Sequence, residues 1–174
     1  MKSKIFLPLM IFYFGIACSQ TKENLVEVEK INRYIELIDK DVKSKGFNFS
    51  IKGKDKIINY KYWKKGNEIV KISREWKQNN GQFIDTYTDY FLLKNEERVY
   101  ANQSIIFNKK LDKEMMGGWS CTFWFHKNKV IHTTSLGHGK TEDDSWDYEK
   151  EMKENFDYMM KQVQKIEKEK KEIG

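Results

Sequence analysis

Three histidines follow one another at even spacing, His126, His132 and His138. Imidazole is a common ligand for zinc and copper. Hairpin register decides whether they can meet. A two-residue turn at Lys127-Asn128 pairs His132 with Phe123 and aims it away from the face of His126, whereas a three-residue loop puts 126 and 132 on one face. No cluster of acids or thiolates accompanies them, so the expectation is no metal site and no cofactor, with His126, His132 and His138 as the residues to watch. Cys121 shares a strand face with Trp119, Phe123 and Phe125, the setting of a small buried hydrophobe rather than of a nucleophile. Gly137-His138-Gly139-Lys140-Thr141 looks like the tail of a phosphate-binding loop between a strand and a helix. That motif needs a glycine where Thr134 stands, and Glu142, Asp143 and Asp144 would repel a phosphate at the helix start. Asp85 and Asp89 alternate with Phe83, Tyr87 and Phe91. They either flank a ligand or sit solvated on an outward face, and the second is the expectation. There is no nucleophile elbow and no HExxH, so no catalytic residue is nominated.

The elements that would position these groups are mostly strands. Residues 56–134 read as three hairpins, with turns at Gly66, Asn95 and Asn128, the residue types that best tolerate a positive φ. Residues 47–51 form a candidate edge strand, and Asn79-Asn80-Gly81 marks a turn between hairpins. Along 68–76, Val70, Ile72 and Trp76 fall on one face and Lys71, Ser73 and Glu75 on the other, the pattern of a sheet with one wet side. The connection 108–118 interrupts the hairpin spacing, and long loops on a rigid sheet are a common place for binding. The rings at Tyr60, Tyr62, Trp63, Tyr87, Tyr90, Phe91, Trp119, Phe123, Trp124 and Phe125 could form a stacking platform, but aromatics are also good strand formers and core fillers, and core packing is the expectation.

Two helices bracket the strands. Leu25, Val28, Ile31, Ile35, Ile38 and Val42 step by three and four, which predicts an amphipathic helix over about 21–45, ended by Gly46. Tyr148, Met152, Phe156, Met159, Val163 and Ile166 repeat the pattern and predict a second helix over about 142–170, capped at Thr141. The tail beyond Ile166 alternates Glu and Lys and should be solvated and fraying. The predicted architecture is therefore α+β: an antiparallel meander of about six strands with both helices packed on one face, in a single domain over 18–174.

Composition agrees with a folded domain. Of 174 residues 14% are aromatic and 33% charged, with one proline, and disordered chains lack that aromatic share. Formal charge is +6, and losing Lys2 and Lys4 with a cleaved leader leaves +4, a thin surplus for a nucleic-acid partner.

Residues 1–17 begin with those two lysines and continue as an apolar run over 5–16, shorter than the roughly 20 residues a membrane span needs. This fits the hydrophobic region of a secretory signal peptide. Directly after it stands Gly15-Ile16-Ala17-Cys18-Ser19. The stretch resembles the lipobox of bacterial lipoproteins, with Ala17 and Cys18 matching the cleavage site and Gly15 departing from the usual leucine. The resemblance implies cleavage between Ala17 and Cys18, a diacylglycerol thioether and an acylated amino terminus (palmitate among the chains) on Cys18, and stable attachment to a membrane. Two other readings stay open: an ordinary signal peptidase site at Gly15 and Ala17, which would release a soluble protein, and a buried segment with an incidental cysteine. By analogy with the family, Ser19 after the cysteine points to the outer membrane where there are two, or otherwise to the cell membrane, outside the cytoplasm. The hairpins with flanking helices also resemble small envelope lipoproteins of uncharacterised function, a likeness that brings no active-site residues.

Three function classes follow. The first is a membrane-tethered, non-catalytic binding or accessory module with a possible protein partner in the envelope. The second is an immunity or inhibitor lipoprotein that neutralises a toxin or enzyme through the exposed sheet face or the 108–118 loop. The third is a hydrolase with an unrecognised site.

Overall fold

The computed structural model describes residues 6–173 except 42, 112 and 113, and for 6–21, 171 and 173 it describes the backbone alone. The expectations on Ala17 and Cys18 therefore lie outside the described side chains. Helix α1 (Phe6–Asp39) precedes seven strands, β1 (Lys45–Lys52), β2 (Ile57–Lys65), β3 (Glu68–Asn80), β4 (Phe83–Lys94), β5 (Glu97–Lys109), β6 (Met115–His126) and β7 (Lys129–Leu136), and helix α2 (Tyr148–Ile173) closes the chain. The strands form one antiparallel sheet in sequence order. This is the expected α+β fold with one strand more than predicted. Among the described residues no helix is long and apolar enough to cross a membrane.

The strands turn back on themselves because the turn residues accept positive φ. Gly66 and Gly81 sit near +60°, and Asn95-Glu96 and Lys127-Asn128 are positive at both central positions. That double-positive geometry is the two-residue turn whose twist matches the flanking strands. Asn128 is thus the second turn residue where Asn95 is the first. The turn at Gly81 joins β3 and β4 as a long hairpin of their own, so the meander is continuous rather than three separate hairpins.

The helices do not share a face. Phe91, Leu92 and Leu93 are consecutive on β4 and all buried. Neighbours on a strand point to opposite faces, so both faces must be covered. Phe91 meets Phe156 of α2, whereas Leu92 packs with Ile38 of α1. On β6, Phe123 stacks on Tyr148 while the Trp124 indole donates to Asn32 Oδ1 at 2.8 Å. The unbroken run Tyr90-Phe91-Leu92-Leu93 was the sequence signal for a two-sided strand. A bulge opposite Trp63/Lys64 also moves Val70 off the face of Ile72, so Val70 packs under α1 and Ile72 under α2.

The α2 face holds the larger core: Tyr60, Tyr62, Ile72, Phe91, Trp119 and Phe123 of the sheet close on Met152, Met159 and Val163. Each such side chain contributes roughly 1.5–3 kcal/mol by leaving water. Helix bounds differ from expectation at both ends of each helix, and the first helix starts at Phe6 rather than near residue 21. The first helix ends at Asp39, where Asp41 Oδ1 accepts from the Lys43 amide at 3.0 Å and turns the chain, and Gly46 is a β1 residue lying against Trp63. The second starts at Tyr148, with Asp147 Oδ1 accepting from the Lys150 amide at 3.0 Å as its cap. Thr141 instead accepts from the Trp119 indole at 3.1 Å. At the far end, Glu167 and Lys170 dock on β1 and β2 rather than fraying: Glu167 accepts from Tyr62 and Lys64, and the Lys170 ammonium lies 4.6 Å from the Phe47 ring centre.

Candidate functional site

The α2 core changes character toward the β3–β4 turn. Tyr62 and Ile72 give way on the same face to Arg74, then Trp76; Phe91 gives way to Asp89, and Ala101 to Gln103. Above them α2 presents Glu151 and Asn155, one turn apart, and the loop before it brings in Lys140. Together with Tyr87 and Ile105 these residues line a cleft of about 160 Å³. Asp89 is 1% exposed and Asp85 2% exposed. The expectation of two solvated acids is overturned. They alternate with Phe91 and Tyr87, and the face those rings occupy is the one α2 covers.

Burying a charge is tolerated only when it is paired and hydrogen-bonded. Arg74 provides this for Asp89, with Nε 2.7 Å and Nη2 2.6 Å from Oδ2, while Gln103 Nε2 donates to Oδ1 at 3.0 Å. Arg74 Nη2 also donates to Asn155 Oδ1 at 2.7 Å, which ties the pair to α2. Glu151 accepts from Gln103 at 3.0 Å, from the Trp146 indole at 2.6 Å and from Lys140, which donates to Gln103 Oε1 as well. Burial pushes the Glu151 carboxyl up, but the bonds from Lys140, Gln103 and Trp146 outweigh it and hold the group below its ordinary value. One wall is a stacked Trp76–Tyr87 pair with centroids 5.1 Å apart, and the Arg74 guanidinium lies 5.1 Å from the Trp76 ring centre. The cleft thus offers fixed donors and acceptors beside a flat apolar wall, with Glu151 held as a carboxylate.

The other nominated residues fall elsewhere. The β6–β7 turn has two residues, yet a bulge after Trp124 pairs His132 with Trp124 instead of Phe123. His132 lies against the Trp124 ring, His126 stands 3.6 Å from Glu27, and His138 is almost wholly exposed beside Glu142. Among the described residues no group of three potential ligands could hold a metal ion. Cys121 is buried in the α2 core, where burial pushes its thiol up to about 11. The glycines of the 137–141 segment serve packing: a Cβ on Gly137 would lie 2.1 Å from the Gly118 carbonyl oxygen, and one on Gly139 2.5 Å from Trp119. The connection within 108–118 is short, because 108–109 belong to β5 and 115–118 to β6. Most rings of the supposed stacking platform, Tyr60 and Tyr62 among them, are core.

Arg74, Gln103, Lys140, Glu151 and Asn155 were not nominated from the sequence. Arg74 had a signal, as the one polar member of the Ile72–Trp76 face. Glu151 and Asn155 had a fainter one, since they flank the Met152–Phe156 stripe at helical spacing. Comparison with protein-family models, with curated proteins and with solved structures gave no match.

Proposed function

We propose that the chain is an envelope lipoprotein, tethered outside the cytoplasm through a lipidated Cys18, whose domain is a non-catalytic binding or accessory module with the α2 cleft as its ligand site. The observation that supports binding over chemistry is the state of Glu151. A general base or acid working near neutral pH needs a carboxyl raised toward that pH, and Glu151 is held below its ordinary value by three donors. Such a group orients a ligand's hydrogen-bond donors; it does not pick up protons. The tether is tested by labelled palmitate: incorporation by the wild type and none by Cys18→Ala is expected, and an unlabelled wild type retaining residues 1–17 overturns it. The cleft is tested by capture from envelope extract. Lys140→Gln, Asn155→Ala or both should lose the bound molecule, and equal recovery by all proteins removes the cleft as the site. Hydrolysis of a model ester or glycoside that disappears in Glu151→Gln would overturn the non-catalytic reading.

A second reading, an immunity or inhibitor lipoprotein, draws support from the opposite face. Beyond α1 the half-exposed Thr86, Thr88, Asn102, Ser104, Ser120 and Thr122 form an extended field of small polar groups in register across β4–β6. A field spanning three strands is broad enough for a protein partner, whereas small ligands take enclosed sites. Recovery of one stoichiometric protein partner, lost in Thr122→Arg, would favour this reading over the cleft.

A further inference from the structure

Trp63, Tyr90 and Trp124, three rings of the expected stacking platform, lie outside the α2 core and on the α1 side of the sheet. Register links Trp63, Lys71, Leu92, Tyr100 and Trp124 into one row that crosses β2 to β6, about 19 Å at the ordinary strand spacing. Helix α1 follows that row, from Asn32 at Trp124 to Ile38 at Val70 and Leu92. Along its flank runs an open groove of about 410 Å³. Ile35 and Asp39 of α1 form one bank, and Trp63, Tyr90, Tyr100 and Asn102 form the floor. The Tyr100 ring centre lies 6.2 Å from that of Tyr90 and 5.5 Å from that of Trp124, so the ring surface is continuous across β4–β6.

The charges of the groove cancel, because Lys71, its one lining cation, donates to Asp39 Oδ1 at 2.5 Å. Its uncharged polar groups are left over. Among the described residues the Tyr90 and Tyr100 hydroxyls have no hydrogen-bond partner, and Asn102 gives its amide N–H groups to Thr122 Oγ1 and the Cys121 carbonyl while its Oδ1 stays idle. Burial pushes the Tyr90 hydroxyl up, and Asp39 and Tyr100 add to the rise, which places that hydroxyl beside two groove residues and keeps it a donor. A charged ligand would find no unpaired counter-charge here, and leaving water without one is costly. An uncharged molecule that alternates C–H faces with hydroxyls meets both the rings and the idle polar groups. We propose that this groove binds an uncharged oligosaccharide, laid across the strands beside α1. Strands repeat about every 4.8 Å, close to the length of one pyranose in an extended chain, so successive sugars meet successive strands. The volume falls within the roughly 300–1,000 Å³ of small-molecule sites.

The groove is separate from the α2 cleft and from the lipid anchor, so its failure leaves both of those proposals standing. The full chain in a sugar-free zwitterionic detergent is titrated with cellohexaose, chitohexaose and maltohexaose, and with hexagalacturonate as the charged control. NMR follows the Trp63 indole N–H and the Asn102 side-chain amide for the groove, and the Trp76 indole N–H for the α2 cleft. At least one uncharged hexamer should give a saturable shift at Trp63 and Asn102, with its monomer binding about tenfold or more weakly. Tyr90→Phe combined with Tyr100→Phe should weaken the hexamer about tenfold, for two lost hydrogen bonds. Those hydroxyls bond no described residue, so the double variant keeps the wild-type fold and the test stays valid. No saturable shift with any uncharged hexamer, equal affinity in the double variant, or tighter binding of hexagalacturonate overturns the proposal. So does a shift at Trp76 alone, which puts the sugar in the α2 cleft, or a shift at Trp63 on raising protein concentration without sugar, which puts a second copy in the groove.

Discussion

Arg74 and Asp89 show at the level of single residues why the cleft holds its shape. Asp89 cannot shed its charge into water, so its stability rests on two donors from neighbouring strands. Removing one partner of a buried pair leaves the other uncompensated, so Arg74→Ala should cost roughly 3–5 kcal/mol in urea unfolding, and replacing both partners by apolar residues should cost much less. Glu151 gives a pH signature. Its folded pKa lies below the ordinary 4.5, so between the two values the unfolded chain binds the extra proton and stability rises with pH. Its contribution is complete above about 4.5 and disappears as pH falls through the lower folded value. Glu151→Gln should flatten that part of the acid limb while leaving the slope above neutrality unchanged; an unaltered acid limb would refute the assigned bonds.

At the scale of elements, the two helices do different work. Helix α1 crosses the turn end of the sheet and closes a modest cluster of Ile38, Val70 and Leu92. Helix α2 covers the main core and is held at both ends by polar contacts, Glu151 and Asn155 near its start and Glu167 near its finish. Glu167 belongs to a Glu-Lys run that reads as a solvated tail, but Tyr62 and Lys64 make it an anchor. Glu167→Ala should therefore cost about 1–3 kcal/mol, as for other hydrogen-bonded part-buried charges, whereas Lys168→Ala on the exposed side should change stability by under about 0.5 kcal/mol. Equal small effects from both would return the tail to the solvent.

Over the whole molecule, β4 is the shared wall of two cores, with Phe91 and Leu93 in one and Leu92 in the other. Neither core can open without exposing the back of the same strand, so unfolding should be one cooperative transition. Fluorescence of Trp124, on the α1 side, and of Trp119 and Trp146, on the α2 side, should report one midpoint when each is isolated by Trp→Phe at the others. Separate midpoints would mean that α1 and its cluster are an independent unit. The sequence alone determined the antiparallel hairpins, the apolar stripes of both helices and the burial of Cys121, because alternation, turn chemistry and helical period are local properties of the chain. Tertiary structure alone decided which face each helix covers, since a stripe says that a helix packs and not where. It also decided the bulges that redirect Val70 and His132, which depend on how two strands match in register. The cleft was hidden for the same reason: Arg74, Asp89 and Glu151 lie far apart along the chain, and only packing makes a buried, paired network of residues whose types, taken singly, predict a place in water.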